Sequence, residues 1–175
     1  VGDLLVGTAQ LAGTGLAHTV IRVQGRYLTL ARGTAAVDIS FTHDGENRRF
    51  LIVRPATAYA GAPVLLMLHG NGGTAENQAN ISYVADLVAA TGSWAVLPDA
   101  LDGTWNQDPG HSNGIDDVGF LAAVIEILTN NFEVDPQHIA ISGLSNGAFM
   151  AERFACERSD LISAAALVAG TMNTN

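Results

Sequence analysis

The 175-residue sequence contains no lysine and only one cysteine. Its positive charge comes from eight arginines against seventeen acidic residues, so the formal net charge is −9. A field of this sign repels phosphate backbones and anionic lipid headgroups, which argues against nucleic acid and membrane surfaces as partners. Cys156 can form no internal disulfide, and its place in a predicted helix indicates a buried, inert thiol.

Long apolar runs are also lacking. The runs 64–68 and 164–169 are far shorter than the roughly 20 residues that a membrane-spanning helix requires. The chain starts at Val1 without a basic segment followed by an apolar one, which leaves two explanations open: a removed signal peptide or a trimmed N-terminus. An apolar fraction of 48% with 14% charged residues predicts one compact domain with a hydrophobic core.

From residue 36 onwards the apolar pattern alternates between strands and helices. An Asp-Gly turn signal between two short runs predicts a β-hairpin over 36–41 and 48–55. The continuous run 62–70 is typical of a central parallel strand buried on both faces. The elements predicted after it are helix 78–92, strand 93–100, helix 115–132, strand 137–143, helix 145–158 and strand 161–170. This order predicts an α/β fold with a mostly parallel sheet and helices on both faces.

The chain is predicted to consist of two parts. Residues 1–35 contain closely spaced glycines and one alternating stretch, which predicts a β-rich or irregular flanking segment. Residues 36–175 form the α/β domain.

Ser145 lies between two glycines, Gly143 and Gly147, at the junction of a predicted strand and a predicted helix. Gly-x-Ser-x-Gly in this setting is typical of a nucleophilic serine on a strained turn, because side chains at the flanking positions would collide with neighbouring backbone. We interpret Ser145 as the nucleophile of an acyl-transfer reaction. The alternative is a small residue in a tight turn.

A glycine-rich stretch, residues 69–73 and here called the glycine loop, follows the strand 62–70. In acyl transfer, the backbone N–H after the nucleophile and one from such a loop can stabilise the oxyanion. We predict that the amides of Asn146 and Asn71 form this oxyanion hole, with Gly72 as the alternative to Asn71. His69 is predicted to brace the loop from within. A simple connecting turn is the alternative for the loop as a whole.

The order of five stretches resembles that in the polyhydroxybutyrate-depolymerase-like esterases, which include feruloyl and acetylxylan esterases of the α/β-hydrolase fold. These stretches are LMLHGNGGTAEN, LPDALDGTWN, DDVGFLAAVIE, VDPQHIAISGLSNGAFMAERFACE and ISAAALVAG. The resemblance covers residues 36–170. It implies that Ser145 is acylated, that the glycine loop donates to the oxyanion, and that Trp105 lies at the active-site mouth and contacts substrate. A core aromatic under a long loop is the alternative for Trp105.

The order of an α/β-hydrolase triad is serine, acid, histidine, yet no histidine follows Ser145. The acids after it are Glu152, Glu157 and Asp160. The resemblance places the triad aspartate and histidine beyond Asn175, so we expect an incomplete hydrolase domain that lacks its C-terminal strands. His111 follows the strand 93–100 and is expected to line the substrate site, with an unorthodox base as the alternative. His138 opens a strand at the opposite edge and is not expected to take part.

No metal ion or cofactor is expected. Asp99, Asp102 and Asp108, at the end of strand 93–100 and in the loop after it, do not follow calcium-loop spacing, and no histidine pair has zinc-ligand spacing. We expect these loop acids to be solvated. Asp116 and Asp117 are expected in the first helical turn, where the macrodipole favours negative charge.

The predicted function is that of a serine esterase acting through an acyl-enzyme. Its substrate would be an ester, small or polymeric: a polyhydroxyalkanoate-type polyester, or a feruloyl or acetyl ester of plant polysaccharide. The resemblance implies an extracellular protein. Residues 1–175 alone are expected to have low or no activity. One alternative is a non-catalytic fragment that associates through an open sheet edge with a chain carrying the missing strands. A related thioesterase or peptidase is the other.

Overall fold

The computed structural model describes residues 5–10, 17–57, 59–108 and 114–170. The strands are β1 (Leu5–Gln10), β2 (His18–Val23), β3 (Arg26–Ala31), β4 (Thr34–His43), β5 (Glu46–Pro55), β6 (Ala62–Leu68), β7 (Trp94–Pro98), β8 (Val134–Leu144) and β9 (Ala164–Val168). The α-helices are α1 (Ala75–Ile81), α2 (Val84–Thr91), α3 (Asp117–Asn131) and α4 (Asn146–Glu157). Two short 3-10 turns lie at Leu101–Gly103 and Ser159–Leu161.

Seven strands form one sheet in the order β1-β4-β5-β7-β6-β8-β9, while β2 and β3 form a separate hairpin. Strands β7, β6, β8 and β9 run parallel to one another. Strands β1, β4 and β5 extend this sheet by antiparallel pairing. The four predicted parallel strands are therefore confirmed, and β6 lies between β7 and β8 as a central strand should.

The predicted hairpin is confirmed as β4 and β5, with both strands longer than predicted. Their register runs from Thr34 opposite Pro55 to His43 opposite Glu46. The chain reverses through Asp44 and Gly45 alone, with φ angles of 50° and 81°. Two positive φ angles are what a two-residue hairpin turn requires, and an Asp-Gly pair tolerates them.

Alternation along β5 divides the core into two layers. Phe50 and Ile52 pack in the cluster that contains α3 and α4. Leu51 and Val53 pack in the cluster that contains α1, α2 and the β2–β3 hairpin. All four side chains are fully buried. Because successive strand residues face opposite sides of a sheet, helices cover both faces, as predicted.

The prediction of a single helix over 78–92 is wrong, because α1 and α2 meet at Ser82 and Tyr83. Helix α1 begins earlier than predicted, where the Thr74 side chain accepts a hydrogen bond from the Asn77 amide at 3.2 Å. Tyr83 has φ 49° and ψ 39°, a left-handed conformation that a continuous right-handed helix excludes. The apolar residues also do not form one stripe, since Val84 is buried whereas Ile81 is 50% exposed.

The prediction of a buried Cys156 is also wrong, because its thiol is exposed. The residues that α4 buries are Gly147, Ala148, Met150, Ala151 and Phe154. Cys156 follows Phe154 by two positions, which turns it about 200° around the helix axis and away from the core.

The N-terminal segment contributes β1 to one edge of the sheet and the β2–β3 hairpin to one core layer. Leu28 and Leu30 of β3 are fully buried in the cluster that includes α1 and α2. The boundary between residues 1–35 and 36–175 stays a prediction. Among the helices of the described ranges, none is long and apolar enough to cross a membrane.

Candidate active site

Ser145 connects the end of β8 to the start of α4. Its φ of 53° and ψ of −117° fall in a region that residues with a side chain avoid, and its hydroxyl does not cap the helix. The residue is exposed, and its amide donates a hydrogen bond to the Val168 carbonyl at 2.9 Å. The geometry predicted from Gly-x-Ser-x-Gly is therefore present, with an exposed serine on a sharp bend from strand to helix.

The two flanking glycines allow this bend because neither position has room for a side chain. A Cβ on Gly143 would lie 2.0 Å from the Gly147 carbonyl oxygen. A Cβ on Gly147 would lie 2.5 Å from the carbonyl oxygens of both Leu68 and His69. Helix α4 thus packs directly against the end of β6, and this contact brings Ser145 beside the glycine loop.

The glycine loop approaches Ser145 through Gly70. A Cβ on Gly70 would lie 3.6 Å from the Cβ of Ser145 and 3.4 Å from the Leu144 carbonyl oxygen. A side chain at this position would fill the space next to the serine. The absence of one leaves the loop backbone open toward Ser145.

Two amides of the glycine loop are already engaged. The Gly72 amide donates to the Gly103 carbonyl at 2.8 Å, and the Gly73 amide donates to the Gly70 carbonyl at 2.9 Å. The exposed Asn71 has no acceptor for its backbone N–H in the part of the chain that the structure describes. This arrangement favours Asn71 over Gly72 as the loop's oxyanion donor.

Asn146 is the first residue of α4, where backbone N–H groups have no partner within the helix. Its N–H has no acceptor among the described residues. Its side chain is occupied, because Oδ1 accepts from the Trp105 amide at 2.8 Å and Nδ2 donates to the Trp105 carbonyl at 3.3 Å. The predicted donor therefore combines an available amide with an immobilised side chain.

His69, the first residue of the glycine loop, is only 1% exposed. Its Nε2 accepts a hydrogen bond from the Ala100 amide at 3.1 Å, so its Nδ1 carries the proton and donates to the Gly70 carbonyl at 2.8 Å. Burial lowers the pKa of His69, which agrees with a neutral ring. These bonds give His69 the bracing position predicted for it, with both ring nitrogens engaged away from Ser145.

Trp105 was predicted to contact substrate, and the structure places its indole inside the protein. The side chain is 2% exposed, and Nε1 donates to the His69 carbonyl at 2.9 Å. The indole also packs on the His69 ring with a centroid distance of 5.1 Å. This placement is that of a core aromatic under the loop, and a contact of Trp105 with substrate stays a prediction.

The other described histidines have acidic partners. His18 pairs with Asp86 at 2.7 Å, His43 with Asp116 at 3.3 Å and His138 with Asp135 at 2.7 Å. His111 lies outside the described residues. In the described ranges, the Ser145 hydroxyl makes no hydrogen bond to an imidazole.

Sequence reasoning missed a buried ion pair that also binds the backbone of Asn106, the residue after Trp105. Asp117 is 1% exposed and accepts from Arg48 Nη2 at 2.6 Å and from the Asn106 amide at 2.7 Å. Asp116 alone caps α3, by accepting from the Gly119 amide at 2.8 Å. Asp117 lies in the first turn of α3, as expected, and its carboxylate in addition pairs with Arg48, whereas Asp116 is the N-cap residue just before that turn. The sequence did carry a signal for this burial: Asp117 is the second of two adjacent acids and is followed directly by the apolar Val118.

A second cluster of charged residues holds the start of α1, the helix that follows the glycine loop. Asp99 accepts from Arg49 Nη1 at 2.5 Å and from the Ala75 amide, at the start of α1, at 2.6 Å. Arg49 also binds Glu76. Burial lowers the pKa of Arg49, but the hydrogen bond and charge of Glu76 and the charge of Asp99 outweigh it and raise the pKa, so Arg49 stays charged. The expectation of a solvated Asp99 is wrong.

Comparison with known proteins identifies esterases. No protein-family model matches the chain. NocK of Nocardia uniformis subsp. tsuyamanensis, a candidate esterase, is 36% identical over 123 residues, which cover 64% of this chain and 34% of NocK. Feruloyl esterase B of Piromyces equi is 31% identical over 125 residues, or 67% of this chain and 23% of that protein. The chain thus spans about a third or less of the length of these relatives.

Solved structures agree in fold. The acetyl xylan esterase from Aspergillus awamori superposes with a TM-score of 0.63 at 20% identity, over 73% of this chain and 50% of that structure. The chain therefore has the α/β-hydrolase fold, and the predicted resemblance to esterases of this fold is confirmed.

Proposed function

We propose that this chain, an α/β-hydrolase related to feruloyl and acetylxylan esterases, carries the nucleophile and the oxyanion hole of a serine esterase. Ser145 attacks the carbonyl carbon of a carboxylic ester, the alcohol leaves, and water hydrolyses the acyl-enzyme to release the acid. The amides of Asn71 and Asn146 hold the oxyanion in both steps. The observation that carries the proposal is the exposed Ser145 at φ 53° beside the glycine loop.

The reaction also requires a general base for Ser145. The four described histidines are poor candidates, because each has partners elsewhere. His111 and a histidine from another part of the whole protein remain as candidates. Without a base, the oxyanion hole alone supports only a small share of the rate of a complete triad.

The substrate class follows from the relatives rather than from a pocket. Two of the related proteins are named feruloyl esterase and acetylxylan esterase. We therefore propose an ester substituent of plant polysaccharide, or a polyester, as substrate. A polymeric substrate of this kind is met outside the cell, which supports an extracellular location.

We also propose that the edge of β9 associates with another strand in the assembled protein. Strand β9 pairs only with β8 in the described sheet, and four of its five residues are exposed. Unpaired backbone and exposed apolar side chains on a sheet edge favour strand addition. Sedimentation velocity at increasing concentration should show self-association of residues 1–175, and a monomer throughout the range would contradict this proposal.

Covalent labelling tests the proposed nucleophile. Diethyl p-nitrophenyl phosphate phosphorylates activated serines and releases p-nitrophenol. We expect peptide mapping to locate the adduct on Ser145, and Ser145→Ala to reduce labelling at least about a hundredfold because the attacking oxygen is gone. Ser142→Ala, three residues earlier on β8, is the matched control and should label like the wild type. An adduct on a different residue, or labelling that survives Ser145→Ala, would overturn the proposal.

His111→Ala belongs in the same experiment. If another part of the protein supplies the base, this variant labels at the wild-type rate. A loss as large as that of Ser145→Ala would identify His111 as the base.

A further inference from the structure

The two asparagines whose amides are proposed to bind the oxyanion share a feature that the proposed function does not require. Each directs its side chain to the same short segment, residues 103–106. The Thr104 hydroxyl donates to Asn71 Oδ1 at 2.5 Å. The Asn146 carboxamide makes both of its bonds to the backbone of Trp105.

Further bonds tie the same segment to the glycine loop. The Gly103 carbonyl accepts from the Gly72 amide at 2.8 Å, and the Trp105 indole donates to the His69 carbonyl at 2.9 Å. Gly103 has φ 72°, and a Cβ on it would lie 3.3 Å from Gly72 Cα, so the two backbones are in close contact. Segment 103–106 therefore touches both sides of the oxyanion hole.

The base of the segment is rigid as well. The Asn106 amide donates to the buried Asp117, and the Asn106 carbonyl accepts from Arg153 Nη1 of α4 at 2.7 Å. The Asn106 side chain donates to the Ile115 carbonyl at 2.7 Å. The segment is thus anchored to the helix that follows it in sequence and to the helix that carries Asn146.

We propose that residues 103–106 are a template that sets the distance between the two oxyanion donors, with Thr104 and the Asn146 side chain as positioning groups. This inference rests on the proposed function. A backbone amide and its side chain share one Cα, so fixing the carboxamide also restricts where the amide points. A connecting loop would need one anchor; this segment has bonds to Asn71, Gly72, His69 and Asn146. The segment acts on the oxyanion hole through geometry rather than charge, because its bonds to these four residues are all between neutral groups.

Two pairs of variants test the template. Asn146→Ala keeps the donor amide and loses both bonds to Trp105. Its matched control is Asn80→Ala, because the Asn80 carboxamide also makes two bonds to backbone, here in the β2–β3 hairpin. It accepts a hydrogen bond from the Thr29 amide at 2.9 Å and donates one to the Tyr27 carbonyl at 2.8 Å. Thr104→Val loses the bond to Asn71 at nearly unchanged shape, and Thr104→Ser keeps the hydroxyl.

Amide hydrogen exchange gives the first measurement, which needs no catalysis. We expect exchange at Gly72 and Trp105 to become about tenfold faster in Asn146→Ala, because the bonds that hold these segments together are lost. Thr104→Val should accelerate exchange at Gly72, whereas Asn80→Ala should leave both amides unchanged. Exchange at the wild-type rate in Asn146→Ala would overturn the template, whatever the reactivity of Ser145.

Phosphorylation kinetics with diethyl p-nitrophenyl phosphate give the second measurement. We expect the maximal rate of phosphorylation to fall about ten- to a hundredfold in Asn146→Ala and Thr104→Val, which is at most the effect of losing one oxyanion donor. The reagent concentration that gives half of the maximal rate should change less than about threefold. Thr104→Ser should recover the rate. An unchanged rate, or an equal fall in Asn80→Ala, would overturn the positioning role. A whole protein that does not react would count against the proposed function, while the exchange measurement would still decide on the template.

Discussion

Asp117→Ala is expected to lower the free energy of unfolding by about 3–5 kcal/mol, the cost of leaving one member of a buried ion pair without its partner. The side chains of Arg48 and Asp117 are 1% and 0% exposed. The remaining guanidinium would lose its bonded carboxylate and keep its contact with the Phe120 ring, 3.7 Å from the centroid, and the weaker attraction of the Asp116 and Glu46 charges. The Asn106 amide would also lose its acceptor. Chemical denaturation at neutral pH measures the change.

Asp116→Ala is the matched control for this prediction, because the neighbouring aspartate is exposed and caps the same helix. It should cost only about 1 kcal/mol, as is usual for a lost N-cap. Replacing both members of the pair, as Arg48→Met with Asp117→Leu, should recover part of the loss, since no charge then stays buried. Equal costs for Asp117→Ala and Asp116→Ala would show that the buried pair contributes no more than a helix cap.

The parallel half of the sheet was predictable because its strands carry their signal locally. In β7 every residue from Trp94 to Pro98 is buried. A strand that is covered on both faces is apolar throughout, so its sequence cannot be mistaken for the alternating polar and apolar pattern of a surface strand. The signal for the hairpin turn is equally local, because the two residues with positive φ are Asp44 and Gly45 themselves. Signals of this kind need no knowledge of the rest of the chain.

The break between α1 and α2 was not predictable from the same kind of pattern. Ile81, Val84 and Val88 have helical spacing, which one helix or two short helices can produce. The deciding contact is distant: Asn80 binds β3 through the Thr29 amide and the Tyr27 carbonyl. The sequence near residue 80 carries no information about this pairing with residues 27–29.

The site divides in the same way. Ser145 and its flanking glycines were predictable, because the collisions that exclude side chains at 143 and 147 arise largely within the motif and from the adjacent strand end. The proposed template segment was not, because its bonds to the glycine loop and to Asn146 join residues 31 to 41 positions apart, and all but the bond from Thr104 to Asn71 use a backbone atom, which every residue possesses. The aromatic side chain of Trp105 was the basis for predicting a role at the site, yet it is the Trp105 backbone that bonds Asn146.

Gly143→Ala and Ser145→Gly should change stability in opposite directions. In the bend between β8 and α4, the backbone is in close contact at Gly143 and strained at Ser145. We expect Gly143→Ala to cost about 3 kcal/mol or more, since its Cβ would overlap the Gly147 carbonyl and neither backbone can move without shifting α4. We expect Ser145→Gly to add about 1 kcal/mol, because glycine adopts positive φ without steric cost. Equilibrium denaturation monitored by circular dichroism measures both.

Each substitution has a control that isolates its cause. Ser145→Ala removes the hydroxyl but keeps the Cβ at φ 53°, so Ser145→Gly must exceed Ser145→Ala in stability if backbone strain is the reason. Gly7→Ala adds a methyl group whose nearest neighbour, Asp38 Cβ, would lie 3.9 Å away, and it should change stability by less than about 0.5 kcal/mol. If Gly143→Ala were as stable as Gly7→Ala, or Ser145→Gly no more stable than Ser145→Ala, the bend would be an ordinary turn. A glycine at 145 would relieve the strain and remove the proposed nucleophile, so stability alone gives no reason for a serine there, whereas the proposed attack on an ester does.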